Sequence, residues 1–157
     1  MGYKNPVLTV DAIIYNIEKK EILVIKRKNP PFNGYYALIG GFVDYDECVE
    51  NACIREIKEE VNLDITEIYL FNVYSKPDRD PRGHTISIVF LAPVAYDLDI
   101  AKAGDDAKST HILKLNTHTI NKLDFAFDHK KILMDFMCFL NNPGPFLKDR
   151  LPSHFDI

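Results

Sequence analysis

Residues 7–16 and 22–28 are near-continuous aliphatic and β-branched runs, separated by the polar segment Ile17-Glu18-Lys19-Lys20-Glu21. Such a pair predicts two strands joined by a hairpin turn. Two prolines and an Asn-Gly pair make 29–34 a loop, and short extended pieces are expected at 36–39 and 42–43, broken by Gly40-Gly41. The period then changes. Asp46 is a candidate N-cap, and from 47 to 61 the apolar positions Val49, Ala52, Cys53, Ile57 and Val61 repeat as one helical face, with Asn62 as a left-handed stop. Strands are expected at 68–73 and 85–94 around a charged loop over 74–84. A polar loop at 97–109, a brief strand at 111–115 and a second helix at 127–140 follow. The breakers Asn141-Asn142-Pro143-Gly144 close that helix. With no internal repeat, the pattern predicts one domain over 1–142 and an irregular, proline-containing tail over 143–157.

The first helix has an unusual charge placement. Setting Glu47 to zero at about 100° per residue, Ala52, Val49, Cys53 and Ile57 fall at about 140°, 200°, 240° and 280°. Glu56 falls at about 180°, Glu60 at about 220° and Glu59 at about 120°. Two of the three acids therefore project within the face to be buried, and Glu59 sits on its edge. An ordinary solvated helix would set its acids opposite the apolar stripe and pair them with bases four residues on. Here Glu56 and Glu60 are a like-charge pair at that spacing, and Lys58 points elsewhere. Carboxylates crowded this way raise one another's pKa values unless a cation enters. A hard divalent ion relieves the repulsion, and Mg²⁺ is the usual one where phosphates complete the shell. Arg55 can reach Glu59 and fix its orientation.

Composition narrows the partners. The chain has 157 residues, 46% of them hydrophobic and 27% charged, with a net charge of −4, within the range of globular proteins. A pI near 5.7 argues against nucleic-acid binding through a general basic surface. Three cysteines without a C-x-x-C pair and histidines without ligand spacing point to reduced thiols and a cytoplasmic location. No signal-type run opens the chain and no apolar stretch approaches roughly 18 residues, so no membrane span is expected.

The helix is embedded in Gly41-x₅-Glu47-x₇-Arg55-Glu56-Ile57-x-Glu59-Glu60-x-Asn62-Leu63. This resembles the box of the Nudix hydrolase family, G-x₅-E-x₇-R-E-U-x-E-E-x-G-U with U aliphatic. The one fixed position that departs is Asn62, where the family has glycine. The resemblance implies an α/β fold, an α/β/α sandwich on a mixed β-sheet, and Mg²⁺-dependent hydrolysis of a nucleoside diphosphate linked to another moiety, with Mn²⁺ able to stand in. It implies metal ligation by Glu56 and Glu60, by Glu59 and by the Gly40 carbonyl, with catalytic roles for Glu59 and Arg55.

Outside the box, the loop Pro77-Asp78-Arg79-Asp80-Pro81-Arg82-Gly83-His84 opens onto a strand, where guanidiniums suit phosphate oxygens; the plain alternative is that its Arg and Asp residues pair with each other. This loop, with Gly104-Asp105-Asp106-Ala107 and Phe125-Ala126-Phe127-Asp128-His129, resembles the ADP-ribose pyrophosphatase branch of that family. The branch implies ADP-ribose hydrolysis to AMP and ribose 5-phosphate, with Arg27, Asp78, Arg79 and Arg82 as substrate-binding residues. One of Lys26 and Arg27 should face the site and the other solvent. Phe32, Tyr35 and Tyr36 are candidates to stack an adenine. His129 is expected to cap or pack the last helix, and Asp105 and Asp106 are either a turn or an acid site. Other substrates remain open: a nucleoside triphosphate, a dinucleoside polyphosphate or an NAD-type dinucleotide. So does a non-catalytic ADP-ribose sensor, which the intact box acids and the short stretch after Asn142 disfavour. The expected partner is a small nucleotide-sugar, with no nucleic acid or membrane, and a homodimer is admitted.

Overall fold

The computed structural model describes residues 4–104 and 107–142. Asp105, Asp106 and the tail over 143–157 lie outside the described residues. The elements run β1 (Val7–Asn16), β2 (Glu21–Arg27), β3 (Tyr36–Ala37), β4 (Ile39–Phe42), α1 (Val49–Val61), β5 (Tyr69–Tyr74), β6 (Thr85–Val94), β7 (Ala107–Lys114), α2 (Thr117–Lys122) and α3 (His129–Asn141), with a single 3₁₀ turn at Leu98–Ile100.

The strands form one sheet in the order β3-β2-β1-β6-β5, with β4 also on β1 and β7 also on β2. Among the strands of the described residues, β1 and β6 pair in parallel, from Val7 opposite Thr85 to Asn16 opposite Val94, and the rest antiparallel, so the sheet is mixed. Alternate residues of its central strands feed two cores. Val10, Ala12, Ile14, Leu23, Ile25, Phe90 and Ala92 pack against Ala52, Cys53, Ile57 and Val61 of α1. Ile13, Tyr15, Ile22, Val24, Val89 and Leu91 pack against Ile120 of α2 and Ile132, Leu133 and Phe136 of α3. Helices on both faces explain why β1 and β2 read as unbroken apolar runs. The layers are α/β/α.

Several boundaries differ from the sequence reading. α1 starts at Val49 behind Cys48, whose side chain makes no cap. Asp46 adopts φ 62 instead, while Glu47 is occupied by Arg55 and by the Asp44 N–H. β4 runs straight through Gly40-Gly41, because both glycines pair with β1. β7 starts earlier than 111 because it follows β2 back along its length. α2 lies in a stretch to which the sequence pattern assigns no element; Asn116 caps it by accepting the Thr119 N–H at 2.8 Å. Asn62 is left-handed as expected, at φ 54 and ψ 35, and its N–H closes onto the Lys58 carbonyl.

Candidate active site

A cavity of about 440 Å³ opens across the sheet beside β4, with Glu56 and Glu60 of α1 among its lining and Arg27, Arg82, Phe127 and His129 lining it too. The acidic side is built on close approach. The Glu60 carboxylate accepts the Gly40 N–H at 3.0 Å, and Glu56 lies so near β4 that a Cβ on Gly41 would stand 2.4 Å from its carboxyl carbon. Arg55 gathers the remaining acids. It donates to both oxygens of Glu47 at 2.9 and 2.8 Å, to Glu56 at 2.8 Å, to Glu59 at 3.2 Å and to the Phe42 carbonyl at 3.0 Å. The Arg55 guanidinium, with the Asp44 N–H beside it, holds the Glu47 carboxyl down at about 2. Glu59 is mostly exposed at the rim, its side chain turned to Arg55.

Glu60 behaves oppositely. Burial pushes its carboxyl up to about 8, against the Gly40 N–H that favours the charged form, and the charges of Glu56 and Asp11 push the same way. Burial also raises Glu56, despite Arg55. Both acids stand in the last two turns of α1, where the helix dipole is unfavourable to anions. The donors are hard oxygens, and the repulsion between Glu56 and Glu60 persists beside Arg55 and Arg27, which fits a divalent cation. Among the described residues, no three acidic, histidine or cysteine side chains already form a cage. Two carboxylates and a backbone carbonyl, with the remaining positions left to water and phosphate, are the donor set magnesium prefers.

Of the strand-end pair, Arg27 lines the cavity and Lys26 lies over the Tyr36 ring outside its lining. Arg27 donates through Nε to the Pro31 carbonyl at 2.9 Å. The loop over 77–84 divides. Asp78 is exposed and pairs with Lys76 at 3.1 Å, away from the cavity lining. Arg79, expected as an exposed grip on substrate, is instead buried, its side chain only 4% exposed. It donates to both oxygens of Asp128 at 3.0 and 2.6 Å, so its fork is spent on holding the start of α3. Arg79 still borders the cavity, and Arg82 does so too, anchored on buried Asp80 at 3.0 and 2.7 Å. Burial opposes ionisation of Asp80, yet Arg82's side chain and N–H hold its carboxyl below the usual range. Phe32, Tyr35 and Tyr36 are not in the lining; the aromatics there are Phe42 and Phe127.

A buried polar group passed over in the sequence underlies this cavity. Asp11 lies opposite Gly40 on β1. It accepts the Ser87 hydroxyl, faces His129 Nε2 at 3.4 Å and lies 3.8 Å from Arg79. His129 Nδ1 accepts the Leu38 N–H at 2.9 Å, which leaves the ring proton on Nε2, toward Asp11. Burial pushes the His129 imidazole down from its usual value and raises Asp11. The available signal was one acid inside an otherwise apolar strand run.

The Nudix domain profile matches residues 5–136. The chain belongs to the Nudix family. It is 51% identical over 139 residues to an ADP-ribose pyrophosphatase of Methanocaldococcus jannaschii, covering 88% of this chain and 78% of that one. It is 31% identical to the ADPR responsive transcriptional repressor NtrR of Acinetobacter baylyi, covering 89% of this chain and 56% of the repressor. Among solved structures, the bifunctional NMN adenylyltransferase/ADP ribose pyrophosphatase of Francisella tularensis, complexed with AMP and a manganese ion, superposes with a TM-score of 0.75 at 30% identity, covering 92% of this chain and 44% of that one. The protein is thus a Nudix hydrolase, and enzymes of this family generally act with a divalent metal. No helix among the described residues is long and apolar enough to cross a membrane.

Proposed function

We propose that the protein hydrolyses ADP-ribose to AMP and ribose 5-phosphate with Mg²⁺, Mn²⁺ being able to replace it, in the cytoplasm. The observation that carries this reading is one cavity whose lining brings the paired carboxylates Glu56 and Glu60 together with the guanidiniums of Arg27, Arg79 and Arg82. A diphosphate needs both: cation sites toward the acids and direct ionic contacts from the arginines. The likeness to the pyrophosphatase of M. jannaschii, and the AMP and manganese of the F. tularensis enzyme, support the same substrate and ion class.

Glu56, Glu60 and the Gly40 carbonyl would hold the metal, with Glu59 joining from the rim. When bound, the metal neutralises charge on the diphosphate and makes water more acidic. Arg55 orients Glu56 and Glu59 while leaving Glu60 to the cavity. A glutamate takes the proton of the attacking water, whose oxygen bonds to one phosphorus as the bridging oxygen departs with the other phosphate. Arg27 and Arg82 grip the anionic oxygens, and a planar fork does this better than an ammonium.

The test is a hydrolysis panel on the purified protein, with and without Mg²⁺. ADP-ribose should be cleaved fastest, and chelation should abolish turnover. Nucleoside triphosphates turned over much faster than ADP-ribose would sink the substrate assignment. The likeness to an ADPR-responsive repressor raises a second reading, a sensor, which the same panel would reveal as ADP-ribose binding without cleavage.

A further inference from the structure

We propose that Phe127 is a positioning residue that holds Arg27 and Arg82 as one anion grip facing the acidic side of the cavity; this rests on the ADP-ribose reading above. The Arg27 guanidinium lies 5.0 Å from the Phe127 ring centroid and the Arg82 guanidinium 5.4 Å from it. Arg82 also lies 5.4 Å from the Phe42 ring. Two like charges brought to one wall repel each other, and an aromatic face is the apolar surface that attracts both. The ring itself is fixed edge-on by Phe32 at 5.0 Å. Each guanidinium is steadied from behind as well, Arg27 by the Pro31 carbonyl and Arg82 by Asp80.

The backbone shows that this ring position is imposed. Phe127 has φ 53, a conformation aromatic residues seldom adopt. Such a residue persists where its surroundings over-determine it, and these residues gather at functional sites. The surroundings here do so on both sides. Ahead of it, the Tyr36 N–H donates to Asp124 and the Ala126 N–H to Tyr36, at 2.9 and 2.8 Å. Behind it, Asp128 is clamped by Arg79 and His129 by Leu38. The Arg79–Asp128 pair thereby sets the ring against which the other two arginines of the cavity, Arg27 and Arg82, lie.

The experiment measures ADP-ribose binding to the full chain by calorimetry in EDTA, together with KM and kcat under Mg²⁺. Phe127→Leu keeps apolar bulk and loses the aromatic face; its Kd and KM should rise about tenfold while kcat stays within about twofold. Phe127→Tyr should restore both constants to within about twofold of the wild type. Phe127→Gly, which accepts the left-handed backbone, should bind as weakly as Phe127→Leu, and it decides the matter if the leucine variant does not fold. If the wild type neither binds nor cleaves ADP-ribose, the substrate reading falls and this inference with it. If the wild type does both and the Leu and Gly variants match it, or if Tyr binds no better than Leu, the inference alone is overturned.

Discussion

Glu60 keeps its proton to about pH 8 in the folded, cation-free protein, against 4.5 for an ordinary glutamate. The folded state therefore binds an extra proton between those values. The sign follows from linkage: the contribution of this group to stability is complete below about pH 4.5 and is lost as pH rises through about 8. In EDTA the melting temperature should fall between about pH 5 and 8.5, and saturating Mg²⁺ should flatten that fall by binding the charged form. Glu60→Gln can still accept the Gly40 N–H, so it should fold as well or better, lose the slope and lose turnover by orders of magnitude. A variant with near-normal turnover would remove Glu60 from the site. Asn62 offers a second test. At φ 54 it should tolerate Asn62→Gly with no loss, whereas Asn62→Val should cost about 1 kcal/mol or more by denaturant melting. These residues were readable in the sequence because helix period and charge spacing place them by local geometry alone. Asp11 was not, because its meaning comes from Ser87, Arg79 and His129, which lie 68 or more positions along the chain and meet it only once the sheet and α3 are assembled.

The loop before β6 and the stretch before α3 show where local reading stops. Arg79 and Arg82 have the same chemistry three positions apart, and nothing local says that one folds inward. Their substitutions should part company. Arg79→Ala removes a buried guanidinium, leaves half-buried Asp128 without its partner and buried Asp11 without the cation 3.8 Å away, and should cost about 3 kcal/mol or more of stability. Arg82→Ala removes a side chain that is 44% exposed but leaves buried Asp80 with the residue-82 N–H alone, so it should cost less, about 1–2 kcal/mol. It should still raise KM for ADP-ribose, and Arg82→Lys should recover only part of that loss. Equal thermal shifts in the two alanine variants would contradict the assignment of Arg79 to structure. The helices and long strands were legible from periodicity, whereas β4 and α2 were not. Glycines usually weaken a strand, yet β4 needs two because β1 and Glu56 approach so closely. α2 has a single buried apolar residue, Ile120, so its period carries almost no signal.

At the scale of the whole molecule, one loop ties the acidic helix to distant chain. The N–H groups of Lys102 and Gly104 donate to the carbonyls of Val61 and Glu60, at 3.0 and 2.7 Å, and a Cβ on Gly104 would fall 1.9 Å from the Glu59 carbonyl oxygen. Gly104→Ala should therefore push this strap from the end of α1 and lower both the melting temperature and affinity for Mg²⁺, measurable by thermal melts with and without the ion. The clamp between Arg79 and Asp128 reaches further still along the chain, and it has a bearing on how the enzyme comes into being. Chains emerge from the ribosome amino end first, and domains fold as units. The acids of α1 are made early, but the residues that aim the arginines are among the last of the described chain to appear. A nascent chain halted after β7 would carry every box residue and still lack Phe127, Asp128 and His129. Such a chain is expected to be unable to bind ADP-ribose, and to gain that ability only once Phe127, Asp128 and His129 have been added.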